Sequence, residues 1–213
     1  MSDEPNQFFN HAEHSVGGLS GHILRRMTHV SIIFIPILFY GKGKEIASFF
    51  NLEPNQLVIS VCLIFMIFEF IRLKLGFIVL GQREYESNQI SALAWGAFSV
   101  SLALIFSPEG DGSGLKSGSY GIPLIFGLSI VDPVMGEIKR IKKDFKIAII
   151  AGLLTSYTIW IGCHFWIGTN ILAAIILAPL TVIGEIPSSK FIDDNATMIL
   201  LPLSCLMLMY PFL

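Results

Sequence analysis

Residues 147–183 run for 37 positions without one Asp, Glu, Lys or Arg. A helix crossing the hydrocarbon core of a bilayer takes about 20 residues, so this run has room for two crossings and the turn between them. Residues 89–108 and 195–213 are also uncharged, and each is long enough for one more. Only 14% of the chain is charged and 53% is hydrophobic, whereas a soluble domain carries about 25% charge. The predicted fold is all-α, a polytopic transmembrane helical bundle of about seven spans.

Spans are expected at 22–40, 57–80, 89–107, 120–131, 147–167, 171–186 and 196–213. The stretch 120–131 is too short for a full crossing, so it is either extended at one end or half-inserted. Residues 41–55, with Gly-Lys-Gly-Lys and Pro54, read as a loop, as do the Gly- and Ser-rich 108–119 and the polar 132–146. Residues 1–21 read as a polar tail and 22–213 as one transmembrane catalytic domain. The tail lacks a signal-peptide shape, so the first span is expected to serve as the insertion signal. Cys62, Cys163 and Cys205 lie in apolar stretches without CxxC spacing, which argues against a disulfide scaffold or zinc module. No internal repeat is evident.

Basic residues collect on the cytoplasmic side of spans. With the N-terminus inside and seven crossings, Arg25, Arg26, Arg72, Lys74, Arg83, Lys139, Arg140, Lys142, Lys143, Lys146 and Lys190 fall inside. Lys42, Lys44 and Lys116, the rest of the 14, fall outside. The chain is thus expected to be an integral, multi-pass membrane protein with its N-terminus and active site cytoplasmic. The same threading brings every polar cluster near a span to that one face, where ionisable groups are costly unless paired or facing a wet cavity.

His22, Arg25, Arg26 and His29 share one helical face. They suit a phosphate, or merely flank a span and set its orientation. Glu69 and Arg72, three apart in an apolar helix, are a self-neutralising pair, or a carboxylate orienting a cation towards an anionic ligand. Asp132, Pro133, Gly136, Glu137, Lys139 and Arg140 form the densest segment. Asp132 can hold Mg²⁺, Gly136 can let a ligand approach the backbone, and the bases beyond can neutralise phosphate. Lys142, Lys143 and Lys146 read as an ordinary basic loop. Asp193, Asp194 and Asn195 open the last span as a helix cap or as oxygen ligands, which Glu185 could join. His11 and His14 in the tail, the loop 109–119 and His164 beside Trp166 are poor candidates for chemistry.

In order, "RRMTH", "EFIR", "VDPVMGEIKR" and "FIDDNATMILLPL" resemble the CTP-dependent membrane lipid kinases of dolichol, phytol and diacylglycerol, which are related to phosphatidate cytidylyltransferases. The likeness runs from about Leu24 to Leu203. Asp194, Asn195 and Pro202 match the Asp-Asn-hydrophobic-Pro ending of that family. Glu137 stands where a basic residue is usual, and the Lys-Ser-x-Glu-Gly-Ser stretch has no clear counterpart.

The resemblance implies a kinase transferring the terminal phosphoryl group of CTP to a polyprenol or similar lipid hydroxyl, with Mg²⁺ or another divalent cation. Asp132 and Asp194 are then the catalytic and metal-binding carboxylates. Arg25, Arg26, His29, Glu69, Arg72, Gly136, Lys139, Arg140 and Asn195 are the substrate- and nucleotide-binding set. The expected partners are a lipid substrate, a nucleotide and the bilayer, with no nucleic acid. The alternatives are a phosphatidate cytidylyltransferase-like CDP-lipid synthase, or a non-catalytic membrane protein or transporter. A transporter would show polar breaks near mid-membrane and repeat symmetry.

Overall fold

Helices follow the apolar stretches and stop at glycines, prolines and polar caps. The computed structural model describes residues 16–186 and 192–213, apart from the Tyr85 side chain. Lys190, His11 and His14 lie outside the described residues. Among those described there is no strand. The chain runs α1 (Gly18–Ser31), α2 (Phe34–Phe49), α3 (Pro54–Leu75), α4 (Ala92–Phe106), α5 (Gly121–Phe126), α6 (Asp132–Lys142), α7 (Phe145–Ile167), α8 (Ile171–Glu185) and α9 (Asp194–Met209).

Five segments are long and apolar enough to cross a membrane: Gly18–Phe49, Pro54–Leu75, Gly121–Lys142, Phe145–Ile167 and Asp194–Phe212. This is consistent with an integral, multi-pass membrane protein. The remaining two expected spans are the apolar helices α4 and α8, each 15 residues. At 1.5 Å per residue each is about 22 Å long, short of the ~30 Å hydrocarbon core.

Two expected loops are helical. The 41–55 segment continues α2 as far as Phe49, because Gly41 and Gly43 lower helix propensity without breaking a helix already nucleated by apolar residues. The polar stretch from Asp132 continues the helix begun at Gly121 through a π turn, Gly127–Val131. Pro133 has no N–H for the Ser129 carbonyl, and its ring crowds that oxygen; a wider turn just before it relieves the clash. The short stretch 120–131 is thus the first half of a 22-residue helix. Gly18 to Gly21, assigned to the tail, belong to α1.

This central helix is the core of the bundle. Ile122, Leu124, Ile125, Leu128, Val131 and Met135 are fully buried. Around it α8 packs between α7 and α9, and α4 lies against α9. The α1–α2 and α3 segments sit at the periphery with Phe34, Leu38, Leu63, Ile67 and Phe68 exposed, as a lipid-facing surface requires. Pro36 in α2 leaves the Ile32 carbonyl without its i+4 donor, and the link between α1 and α2 is made by i to i+3 bonds, with Ile35 N–H donating to that carbonyl.

Candidate functional site

The basic face of α1 turns inward onto α6. Arg26 Nη1 donates to Asp132 Oδ2 at 3.3 Å, and His29 Nε2 lies 3.1 Å from the same oxygen. The opposite ring nitrogen, Nδ1, is 3.0 Å from the Arg25 carbonyl, which can only accept. Nε2 also meets Asn195 Oδ1 at 3.0 Å, and the assignment of that oxygen is fixed because Asn195 Nδ2 donates to the Ala92 carbonyl at 3.2 Å. Both ring nitrogens therefore face oxygen atoms, which fix the orientation of the imidazole between α1, α6 and α9. Asn195 is a junction of α1, α4 and α9, its backbone carbonyl also accepting from Ser99 Oγ at 3.4 Å.

Gly136, one turn beyond Asp132, has a different use from the ligand approach expected of it. A Cβ built there would fall 2.0 Å from Arg26 Nη2, so this glycine makes room for the arginine. Arg26 Nε is buried with no hydrogen-bond partner among the described residues.

Arg25 and Arg72 behave oppositely. Arg72 uses all five guanidinium hydrogens within the protein. Nε and Nη2 donate to the two Glu69 oxygens at 2.9 and 2.8 Å. Nη1 reaches the carbonyls of Phe77 and Glu86, and Nη2 that of Gln89. Glu69 also accepts from the Ser91 N–H at 2.6 Å. The pair is a clamp on the segment joining α3 to α4, with no donor left for a phosphate, contrary to the role expected of it. Arg25 commits one nitrogen, Nη1, to Glu86 Oε1 at 3.0 Å.

Lys139 leaves this group for α8, where Nζ donates to Glu185 Oε1 at 2.8 Å and sits 5.1 Å from the centre of the Phe145 ring. Glu185 Oε2 is buried without a hydrogen-bond partner among the described residues. Arg140 pairs with Glu137 on its own helix at the exposed rim, away from the buried cluster. Glu137 in turn lies 3.7 Å from His22.

Glu185 ends α8 beside the first turn of α9, where Thr197 Oγ1 donates to the carbonyls of Gly184 and Asp194. Asp193 caps α9, accepting from the Asn195 N–H at 3.1 Å. Burial, then the neighbouring Asp194, pushes the Asp193 carboxyl up to about 8. Among the described residues no three His, Cys, Asp or Glu side chains form a ready metal cage. Mg²⁺ ordinarily takes only one or two carboxylates and completes its shell with substrate phosphates and water. Half-exposed Asp194 and the unpartnered oxygen of Glu185 suit that demand. Asp132, whose Oδ2 is already shared by Arg26 and His29, suits it less.

The cluster is sunk below the end of its helix. Ten residues separate Asp132 from Lys142, about 15 Å along the axis. Beside it a groove of about 420 Å³ opens between α1, α3 and the segment 77–82. Arg25, His29 and Glu86 line its inner part, while Phe68, Phe77, Val79, Leu80 and Leu93 are exposed around it.

No protein-family model, no curated protein and no solved structure matches this chain.

One residue beside the cluster was not prominent in the sequence. Glu86 lies in a short polar turn that reads as a connector, yet it is 1% exposed and accepts from Arg25, the Arg83 N–H and the Ala92 N–H. Its signal was a carboxylate six residues before a helix of uncharged residues. Glu185, which the sequence offered as a further oxygen ligand beside Asp193 and Asp194, lies at the end of α8 and accepts from Lys139.

Proposed function

We propose that this chain is a lipid-alcohol kinase that transfers the terminal phosphoryl group of CTP to a polyprenol-like hydroxyl at the cytoplasmic face, in a bundle of seven crossings. The observation that carries the reading is the buried meeting of Arg26, His29, Asp132 and Asn195 from three helices, beside arginines with unused donors. The ordered motifs that resemble the CTP-dependent lipid kinases supply the nucleotide.

Phosphoryl transfer passes through a loose transition state whose charge is spread over the phosphoryl oxygens, so a catalyst works chiefly by positioning and charge neutralisation. Arg25 and Arg26 retain N–H donors for those oxygens, and Gly136 sets where Arg26 lies. His29 and Arg26 hold Asp132 Oδ2, leaving Oδ1 to take the proton of the lipid hydroxyl as its oxygen attacks the terminal phosphorus. The bond from that phosphorus to the bridging oxygen breaks, and CDP leaves. The proton is lost late in a loose transition state, so a weak base suffices. Mg²⁺ held by Asp194 and Glu185 would supply further neutralisation of the phosphates. Asn195 and the Arg72–Glu69 clamp position these groups without touching the reacting atoms.

Purified protein incubated with polyprenol and CTP labelled at the terminal phosphate is expected to pass label into the lipid phase. Label from the innermost phosphate entering lipid, with release of pyrophosphate, would instead indicate a cytidylyltransferase. No lipid label from either position, with folded protein and an active control enzyme, would remove the enzyme reading.

A further inference from the structure

We infer that the groove between α1 and α3 is the lipid site, admitting the first part of one polyprenol chain sideways from the bilayer and presenting its oxygen-bearing head to Arg25. The chemistry of the head group rests on the kinase reading; the location and the apolar occupant rest on the groove itself.

Three observations carry this. The groove lies between two peripheral helices belonging to segments long enough to span. Its outer residues, including Leu24, Phe68 and Leu93, are exposed and apolar, and exposure on such a surface means contact with hydrocarbon. At the inner end the polarity changes abruptly. Arg25 and Glu86 form an ion pair at 3.0 Å, and Nε and Nη2 of Arg25 have no hydrogen-bond partner among the described residues. A chain that is apolar along its length and polar at one end matches that gradient; a water-soluble nucleotide does not. The walls are also fixed. Arg72 holds the carbonyls of Phe77, Glu86 and Gln89, so the segment that closes the groove is anchored at several points and the cavity is pre-formed.

Size sharpens the inference. A volume of about 420 Å³ lies towards the small end of ligand pockets, which run to roughly 1,000 Å³. It holds only the units nearest the hydroxyl, and the remainder of a long polyprenol stays in the bilayer. Recognition is therefore expected to depend on the first few units and to be indifferent to total chain length.

The test uses the full chain in phosphatidylcholine nanodiscs with a polyprenol carrying a diazirine near its hydroxyl. Irradiation is expected to label peptides containing Leu24, Thr28, Phe65, Phe68 or Leu93, and unmodified polyprenols of short and long chain are expected to compete equally. Thr28→Trp on α1 and Leu93→Trp on α4 each place a bulky ring in the groove, and each folded variant is expected to lower labelling about tenfold. Labelling of the native protein spread over the other lipid-facing helices, such as α7, overturns the site by itself. So does competition that strengthens steadily with chain length. Labelling confined to the groove without phosphate transfer from CTP leaves the lipid site standing and removes the kinase. Transfer from CTP with labelling elsewhere does the reverse.

Discussion

Arg26 of α1 and Gly136 of α6 meet so closely that a Cβ on the glycine would stand 2.0 Å from Arg26 Nη2. The atom that would clash is the far end of a flexible side chain, so a larger residue there displaces the arginine and spares the helix. Gly136→Ala should also gain helix propensity, about 0.5–1 kcal/mol. The expected outcome is a variant at least as stable as the native protein but with phosphoryl transfer lowered by an order of magnitude or more. Thermal unfolding and a transfer assay on one preparation check this; equal activity in the two proteins would contradict the role of Arg26.

Arg72 and Arg25 should separate stability from activity. Removing Arg72 leaves Glu69, 6% exposed, as an uncompensated buried charge and frees three loop carbonyls, a loss of about 3–5 kcal/mol. Arg72→Ala is therefore expected to yield little folded protein. Arg25→Ala leaves Glu86 with two backbone N–H donors, so it is expected to fold and to lose transfer activity. Yield by size-exclusion chromatography and transfer rates distinguish the pair.

The contrast between these arginines also marks what the sequence could tell. Apolar runs and the spacing of His22, Arg25, Arg26 and His29 on one face were plain from the residue order, because helical periodicity is local. Which arginine has donors to spare was not, since the partners of Arg72 are backbone carbonyls 5, 14 and 17 residues away. The helix running on through Asp132 was hidden for a related reason. Its polar residues suggested a loop, whereas burial of Asp132 and Met135 against neighbouring helices outweighs that local polarity. Span number was legible only as apolar segments; five reach full length and α4 and α8 stop short.

Asp193 gives a pH dependence with a definite sign. Its carboxyl is raised from 3.8 in the unfolded chain to about 8 in the folded one. Between those values the folded chain keeps a proton that the unfolded chain has lost, so stability falls as pH rises through the window. Asp193→Asn keeps a side-chain oxygen for the N-cap and removes the ionisation. The variant is expected to unfold at a higher temperature than the native protein at about pH 9, with the difference closing towards about pH 4. A difference that grows as the pH falls would contradict the assignment.

Gly184 tests the packing that brings Glu185 to α9. A Cβ there would lie 2.6 Å from the Thr197 carbonyl oxygen and 2.7 Å from Met198 Cα, backbone atoms that cannot step aside. Gly184→Ala is expected to force α8 from α9 and to cost about 1–3 kcal/mol, read as a lowered unfolding midpoint. An unchanged midpoint would mean that the two helices are not this close.

The most direct measurement pairs two products of one reaction: CDP released and phosphate gained by polyprenol, counted for the native protein and for Asp132→Asn. The expected result is a one-to-one ratio in the native protein and a rate lower by at least about a hundredfold in the variant, with unfolding temperature retained. Phosphate transfer that proceeds undiminished in Asp132→Asn, or CDP release without phosphorylated lipid, would contradict a catalytic centre built around Asp132.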